Sequence, residues 1–160
     1  MLRLFVCYLL LLNGLMTSGK TYATNMLFHG TLIKPSPCVI DGTKPIDVDF
    51  GDSVVTTKVD GINYKRPVDY TMTCNEGTIA VLRMQVKGSS SGFDTALLLT
   101  SVSDLGIQII KDGEKIGVNE WFYFFNETQP QLEAVPVKNK DATLTGGKFE
   151  STATLLIEVI

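Results

Sequence analysis

The sequence predicts an all-β domain, a sandwich of antiparallel strands, and three observations carry that expectation. Helical periodicity is almost absent beyond the N-terminal segment. Short runs rich in β-branched and aromatic residues recur to the last residue. Clusters such as Asp60-Gly61, Gly88-Ser-Ser-Ser91-Gly92, Asp112-Gly113 and Gly146-Gly147 punctuate them, and each suits a turn rather than a strand interior.

The first element is not part of that domain. One positive charge, Arg3, precedes the apolar run Leu4 to Leu12, which is short for a permanent membrane anchor, and a polar break follows from Thr17 to Lys20. Thr21-Tyr22-Ala23 offers small residues at the two positions a signal peptidase inspects, so residues 1–23 read as a signal peptide and the mature chain is expected to start at Thr24. The signal removes Arg3 and Lys20 and no acid, so 14 basic residues become 12 against 17 acidic ones, a net charge of −5. Such a balance leaves no basic patch for nucleic acid. No later stretch is long and uncharged enough to be a permanent membrane span. What remains is long enough for one exported domain with a real core.

Cys7 leaves with the signal, and only Cys38 and Cys74 remain for an oxidising compartment. They are expected to form a disulfide, which on the chain-entropy model restricts the unfolded chain by about 4 kcal/mol. A metal site is poorly supported, because a closed zinc site needs four ligands and His29 is the sole histidine.

Strands are expected at 27–34, 46–50, 68–74, 79–86, 96–100, 106–110, 131–137 and 149–159. Trp121-Phe-Tyr-Phe-Phe125 reads as a further strand with a core side and a partner-facing side, in preference to a ligand platform. Short strands joined by such turns, with one early cysteine and a second in a later strand, suggest an immunoglobulin-like sandwich. Trp121 lies after the second cysteine, so the antibody arrangement of a tryptophan between the two is not followed.

The two ends are the most informative. Toward the C-terminus, Phe149, Ser151, Ala153, Leu155, Ile157 and Val159 alternate with Lys148, Glu150, Thr152, Thr154 and Glu158, leaving Leu156 as the exception. This strand is apolar to its end with no hairpin behind it, so something else is expected to pair with its edge. Near the mature N-terminus, Met26, Phe28, Gly30 and Leu32 form a second row of period two, with a glycine where another surface would come too close for a side chain.

Taken together, these stretches resemble the pilins of chaperone–usher fibres, in particular the minor and adaptor subunits of P and type 1 pili. The residues that carry the resemblance are Met26-Leu-Phe28-His-Gly30-Thr-Leu32 before Pro37-Cys38, Ile46-Asp-Val48-Asp-Phe50-Gly51, and Val68-Asp-Tyr70-Thr-Met72-Thr-Cys74. To these are added Gly106-Ile-Gln108-Ile-Ile110 and Gly147, fourteenth from the end, followed by Phe149 and Ala153-Thr154-Leu155. Val159 stands where the family usually has a penultimate tyrosine, which keeps the apolar character and loses the ring and hydroxyl.

The resemblance implies an incomplete immunoglobulin-like sandwich that lacks its last strand and is completed by a donor strand from a chaperone or a neighbouring subunit. It divides the chain into a signal peptide (1–23), a donor-strand extension (24–34) and a pilin domain (35–160). In this reading Met26, Phe28 and Leu32 fill pockets of a neighbour, and Gly30 sits where the groove is shallow. Gly147, Phe149, Ala153, Leu155, Ile157, Val159 and Ile160 form the edge that meets the chaperone, which holds the Ile160 carboxylate. The implied partners are a periplasmic pilus chaperone, an outer-membrane usher, and neighbouring pilin or adhesin subunits; the implied destination is a fimbrium on the bacterial surface. The implied role is a minor subunit of tip or adaptor type that contributes to cell adhesion.

A free-standing secreted binding domain or small adhesin, with Trp121 and its neighbours holding the ligand, is the alternative of a different class. Enzymatic activity and cofactors are not expected: there is no Gly-x-Ser-x-Gly elbow, no phosphate-cradling loop and no histidine besides His29. Asp47 and Asp49 share a strand face, but no second group gives them a chemical task.

Overall fold

The computed structural model describes residues 20, 22–32, 38–40, 44–75, 77 and 79–160. The expected signal peptide lies almost wholly outside these residues. The chain separates into two units, Met1–Lys34 and Pro35–Ile160. In the first, residues 22–32 belong to neither helix nor strand.

The second unit is all-β, with no α-helix among the described residues and one short 3-10 turn, Thr56–Lys58. Its strands are β1 (Cys38–Ile40), β2 (Arg66–Pro67), β3 (Met72–Cys74), β4 (Val81–Gly88), β5 (Leu98–Leu99), β6 (Leu105–Lys111), β7 (Glu114–Ile116), β8 (Phe122–Phe125), β9 (Leu132–Lys138) and β10 (Ala153–Val159). Every pairing is antiparallel. One sheet has the order β10-β4-β8, the other β2-β9-β6-β5 with β7 also on β6, and β1 pairs with β3 apart from both.

The core lies between the two larger sheets. Leu82, Met84 and Val86 alternate along β4 and face inward with Phe124 of β8, against Leu98, Ile107, Ile109, Leu132 and Ala134 of the opposite sheet. These positions are two residues apart within each strand, the spacing that puts one face of a strand into a core. Cys38 and Cys74 lie directly opposite each other across β1 and β3, and their disulfide is formed as expected.

Turn chemistry sets the strand limits. Asp112 and Gly113 both have positive φ, 50° and 86°, which is the primed hairpin turn that matches strand twist, and it joins β6 to β7. Pro136 sits inside β9 without breaking its ladder with β6. Its carbonyl points to the other side, where it accepts from Gly61 N–H beyond the end of β2, so its missing N–H falls on that side too. Gly106 is required for contact rather than for φ: a Cβ there would come within 2.9 Å of the Leu97 side chain. The buried Gln108 amide satisfies itself on the carbonyls of Ile109 and Ile116.

Several strand limits differ from expectation. β1, β2 and β7 are additional; the strand expected at 68–74 is confined to Met72–Cys74, and the last strand begins at Ala153 rather than Phe149. Residues 46–50 and the described part of 27–34 form no strand. Both carry the period-two pattern, but a strand also needs a backbone neighbour, and neither stretch pairs with one among the described residues.

Candidate functional site

The terminal strand β10 is paired along one side only. It runs along β4 in a register from Ala153↔Gly88 to Val159↔Leu82 and ends its sheet, with no described strand on its other edge. Ile160 N–H donates to the Val81 carbonyl, which makes that pair a hydrogen-bonded one. By antiparallel alternation, Thr154, Leu156 and Glu158 then bond to β4, while the backbone groups of Ala153, Leu155, Ile157 and Val159 face the free edge. The side chains of Leu155, Ile157 and Val159 pack on the core cluster of Leu82, Met84 and Phe124. The expected inward row is therefore also the row with unpaired backbone.

Beside this edge lies a groove of about 900 Å³. One wall is the stretch 144–153 with Leu155; the other is 46–52 with Val54 and Thr56; core residues such as Val86, Ile107, Ile109 and Ala134 form the floor. These floor residues are themselves buried, so it is the unpaired edge of β10, rather than bare core, that leaves the sandwich open where a final strand belongs. β1 also approaches β10 to within 8 Å between Cα atoms without pairing to it.

The two walls are secured differently. Glu150 accepts from Ser101 N–H at 2.9 Å and its own N–H donates to Ser101 Oγ at 3.0 Å, while Ser151 Oγ donates to the Leu99 carbonyl at 2.7 Å. Across the groove, the only hydrogen bond within 44–54 among the described residues is Gly51 N–H to Asp49 Oδ1 at 2.7 Å, which is internal to that wall. Val48 and Phe50 hold it by packing on the core, and Phe50 meets Phe149 of the opposite wall with ring centroids 5.7 Å apart.

Of the residues singled out from the sequence, Phe149, Ala153 and Leu155 line the groove directly, Gly147 lies in its wall at φ 153°, and Ile157, Val159 and Ile160 continue the same edge. Met26, Phe28 and Leu32 are exposed, at 74, 82 and 101 %, and no atom lies within 4 Å of a Cβ placed on Gly30. The sequence alone does not assign Ile46, Val48 and Phe50 to the site. Their period of two is the available signal, but nothing local shows which strand such a row faces.

The aromatic run divides as a strand should. Phe124 is buried and Phe122 packs beside it, whereas Tyr123 and Phe125 are exposed on the outer face. Trp121 has the Arg83 guanidinium 4.4 Å over its ring, and Arg83 Nε donates to Glu158 of β10 at 2.9 Å. Arg83 thus links the aromatic strand to the last strand through β4.

A family model described as fimbrial protein matches residues 26–159, nearly all of the proposed mature chain. The chain belongs to the fimbrial protein family. A relative in this family, the fimbrial-like protein YfcR of Escherichia coli K12, is 36 % identical over 129 residues, covering 78 % of this chain and 74 % of its own. Among solved structures, the P pilus rod subunit PapA is similar with a TM-score of 0.64 and 18 % identity, over 78 % of this chain and all of its own. The P pilus adaptor subunit PapF gives 0.56 and 23 % identity, over 78 % of this chain and 96 % of its own. At these identities the two structures establish the fold they share with this fimbrial chain. The pilin resemblance read from the motifs holds, and so does the incomplete sandwich. Members of this family are structural subunits of surface fibres.

Proposed function

We propose that this fimbrial subunit is a minor pilin of tip or adaptor type in a chaperone–usher fibre, joined to its neighbours by donor-strand exchange. The observation that carries the reading is the free edge of β10, where the backbone of Ala153, Leu155, Ile157 and Val159 is unpaired, with the groove beside Ala153 and Leu155 at its start. An added strand satisfies those groups and lays alternate side chains along the edge and into the groove. A periplasmic chaperone supplies that strand first, along the edge that runs from Ala153 to Ile160; at the outer-membrane usher the extension of the next subunit replaces it. The finished fibre contributes to adhesion of the cell.

The segment 24–34 is the donor. Its exposed row of Met26, Phe28 and Leu32 supports this role, since each large apolar side chain gains roughly 1.5–3 kcal/mol on full burial. Gly30 interrupts the row where the acceptor leaves no depth. The short distance from Thr24 to Cys38 supports a minor position over a bulk rod.

The test is to express the mature chain in a periplasm with and without a cognate pilus chaperone, then to add a peptide spanning Thr24 to Lys34 to the purified complex. Aggregation of the chain alone, and displacement of the chaperone by the peptide to give a more heat-stable monomer, are expected. A stable monomer indifferent to both would overturn the reading. Gly30→Leu is expected to stop polymerisation while leaving the melting temperature of the subunit unchanged, and normal fibre growth by that variant would remove Gly30 from the role.

A further inference from the structure

The sheet β10-β4-β8 ends on its other side at β8. Asn126 N–H donates to the Ala80 carbonyl, so by antiparallel alternation Phe122 and Phe124 turn their backbone groups toward β4. Tyr123 and Phe125 turn theirs the opposite way, where no strand pairs with them among the described residues. The Phe125 carbonyl accepts from Thr128 N–H at 2.9 Å, so the chain leaves the edge there. Tyr123 lies midway along the open stretch from Trp121 to Phe125, with both its N–H and its carbonyl facing outward. A hollow of about 610 Å³ runs beside it, reaching to Lys111 and Asp112.

β8 differs from the other short edges in having no guard. β2 consists of Arg66 and Pro67 alone, and the three residues of β7 include Glu114 and Lys115; shortness, charge and proline each discourage pairing with a foreign strand. Phe122–Phe125 carries neither charge nor proline, and its register with β4 runs without a bulge. Its outward rings are exposed, Tyr123 at 62 % and Phe125 at 55 %. Opposite them on β4, Val81 is exposed as well, and the charge of Arg83 is neutralised within the chain by Glu158. The edge therefore suits an uncharged strand with bulky side chains at every second position, and β8 is itself such a strand.

We infer that β8 is a docking edge for a second copy of this chain, the two β8 strands pairing antiparallel about a two-fold axis at Tyr123. In that register Tyr123 stands opposite its own copy, the N–H of each donating to the carbonyl of the other, and Trp121 stands opposite Phe125 of the second copy. The outward rings meet as cross-strand aromatic pairs on one face of a sheet that runs on from one copy into the other. The inference does not rest on the strand-accepting reading, because β8 and β10 lie at opposite ends of their sheet. A copy docked at β8 leaves the β10 edge free, so subunits linked end to end along β10 are also tied side by side.

The experiment is sedimentation equilibrium of the mature full-length chain, in the form in which it purifies, alone or with a bound chaperone, across micromolar concentrations. A concentration-dependent doubling of the mass is expected. Tyr123→Pro removes an outward N–H and leaves the ladder to β4 intact, and Tyr123→Lys places a charge at the axis without constraining the backbone. Each is expected to raise the dissociation constant about 10-fold or more while the melting temperature stays near that of the wild type. Oxidative cross-linking reads the register. Tyr123→Cys is expected to link to its own copy, because directly opposed Cα atoms lie about 5.5 Å apart, whereas Phe125→Cys lies too far from its own copy to do so. A single mass at every concentration overturns the proposal. So does association that survives both Tyr123 variants, which belongs to another surface such as the β10 edge, and so does a cross-link through Phe125→Cys without one through Tyr123→Cys.

Discussion

The two walls of the groove carry the same period-two apolar pattern and end up in different states. Leu155, Ile157 and Val159 lie on a strand laddered to β4 over seven residue pairs, while Ile46, Val48 and Phe50 lie on a stretch with no ladder at all. Side-chain alternation therefore prepares a strand without making one. The backbone partner decides, and for the 46–50 stretch that partner is absent from the described chain.

The comparison can be broken most severely at its covalent anchor. Replacing Cys38 and Cys74 together by Ser removes the tie upstream of the unladdered wall, and a loss of about 2–5 kcal/mol is expected in urea unfolding. Next in size is a matched pair of truncations. Met84→Ala, at a fully buried position on β4 facing Ile157, should cost about 2–5 kcal/mol, whereas Val48→Ala on the loose wall should cost less than about 1 kcal/mol. Equal losses at the two sites would show that the loose wall is as firmly built as the laddered one.

A smaller effect sharpens the picture where β10 begins. Gly88, opposite Ala153, has no room for a methyl group: its Cβ would lie 2.5 Å from Leu98 Cδ2 and 3.3 Å from the Thr152 carbonyl. The Asn119 side chain caps the same residue, donating to its carbonyl at 2.9 Å and accepting from its N–H at 3.1 Å. Gly88→Ala should cost about 1–3 kcal/mol in thermal unfolding, less if Leu98 turns aside.

The smallest effect lies away from the groove. Tyr70 donates from its hydroxyl to the Pro130 carbonyl at 2.6 Å, and burial, aided by the Asp112 charge, pushes its phenol from 10.0 up to about 12. The folded state thus keeps a proton that the unfolded chain gives up, so the contribution of Tyr70 is complete below pH 10 and is lost as pH rises toward 12. Tyr70→Phe should lower stability by about 0.5–1.5 kcal/mol at neutral pH and flatten that part of the alkaline decline, as followed by denaturant titration across pH.

Much of the site is legible in the sequence. The row from Phe149 to Val159 has a period that fixes which side chains face inward, and the apolar strand near the C-terminus signals an edge in need of a partner. Asp112-Gly113 announces a hairpin turn, although the three-residue strand beyond it is too short to carry a pattern. Ile46, Val48 and Phe50 have the right alternation, yet their place as the second wall depends on which elements meet across the gap.

By itself, the sequence determined the all-β class, the disulfide, the inward row of the last strand and the exposed row near the N-terminus, because composition, period and turn chemistry are local properties of a chain. Only the tertiary structure decided that β10 lies at the end of its sheet, that 46–52 lines a groove together with its start, and that Phe50 reaches Phe149. Those facts depend on backbone neighbours and distances between residues far apart in sequence, which hydrophobic alternation does not encode.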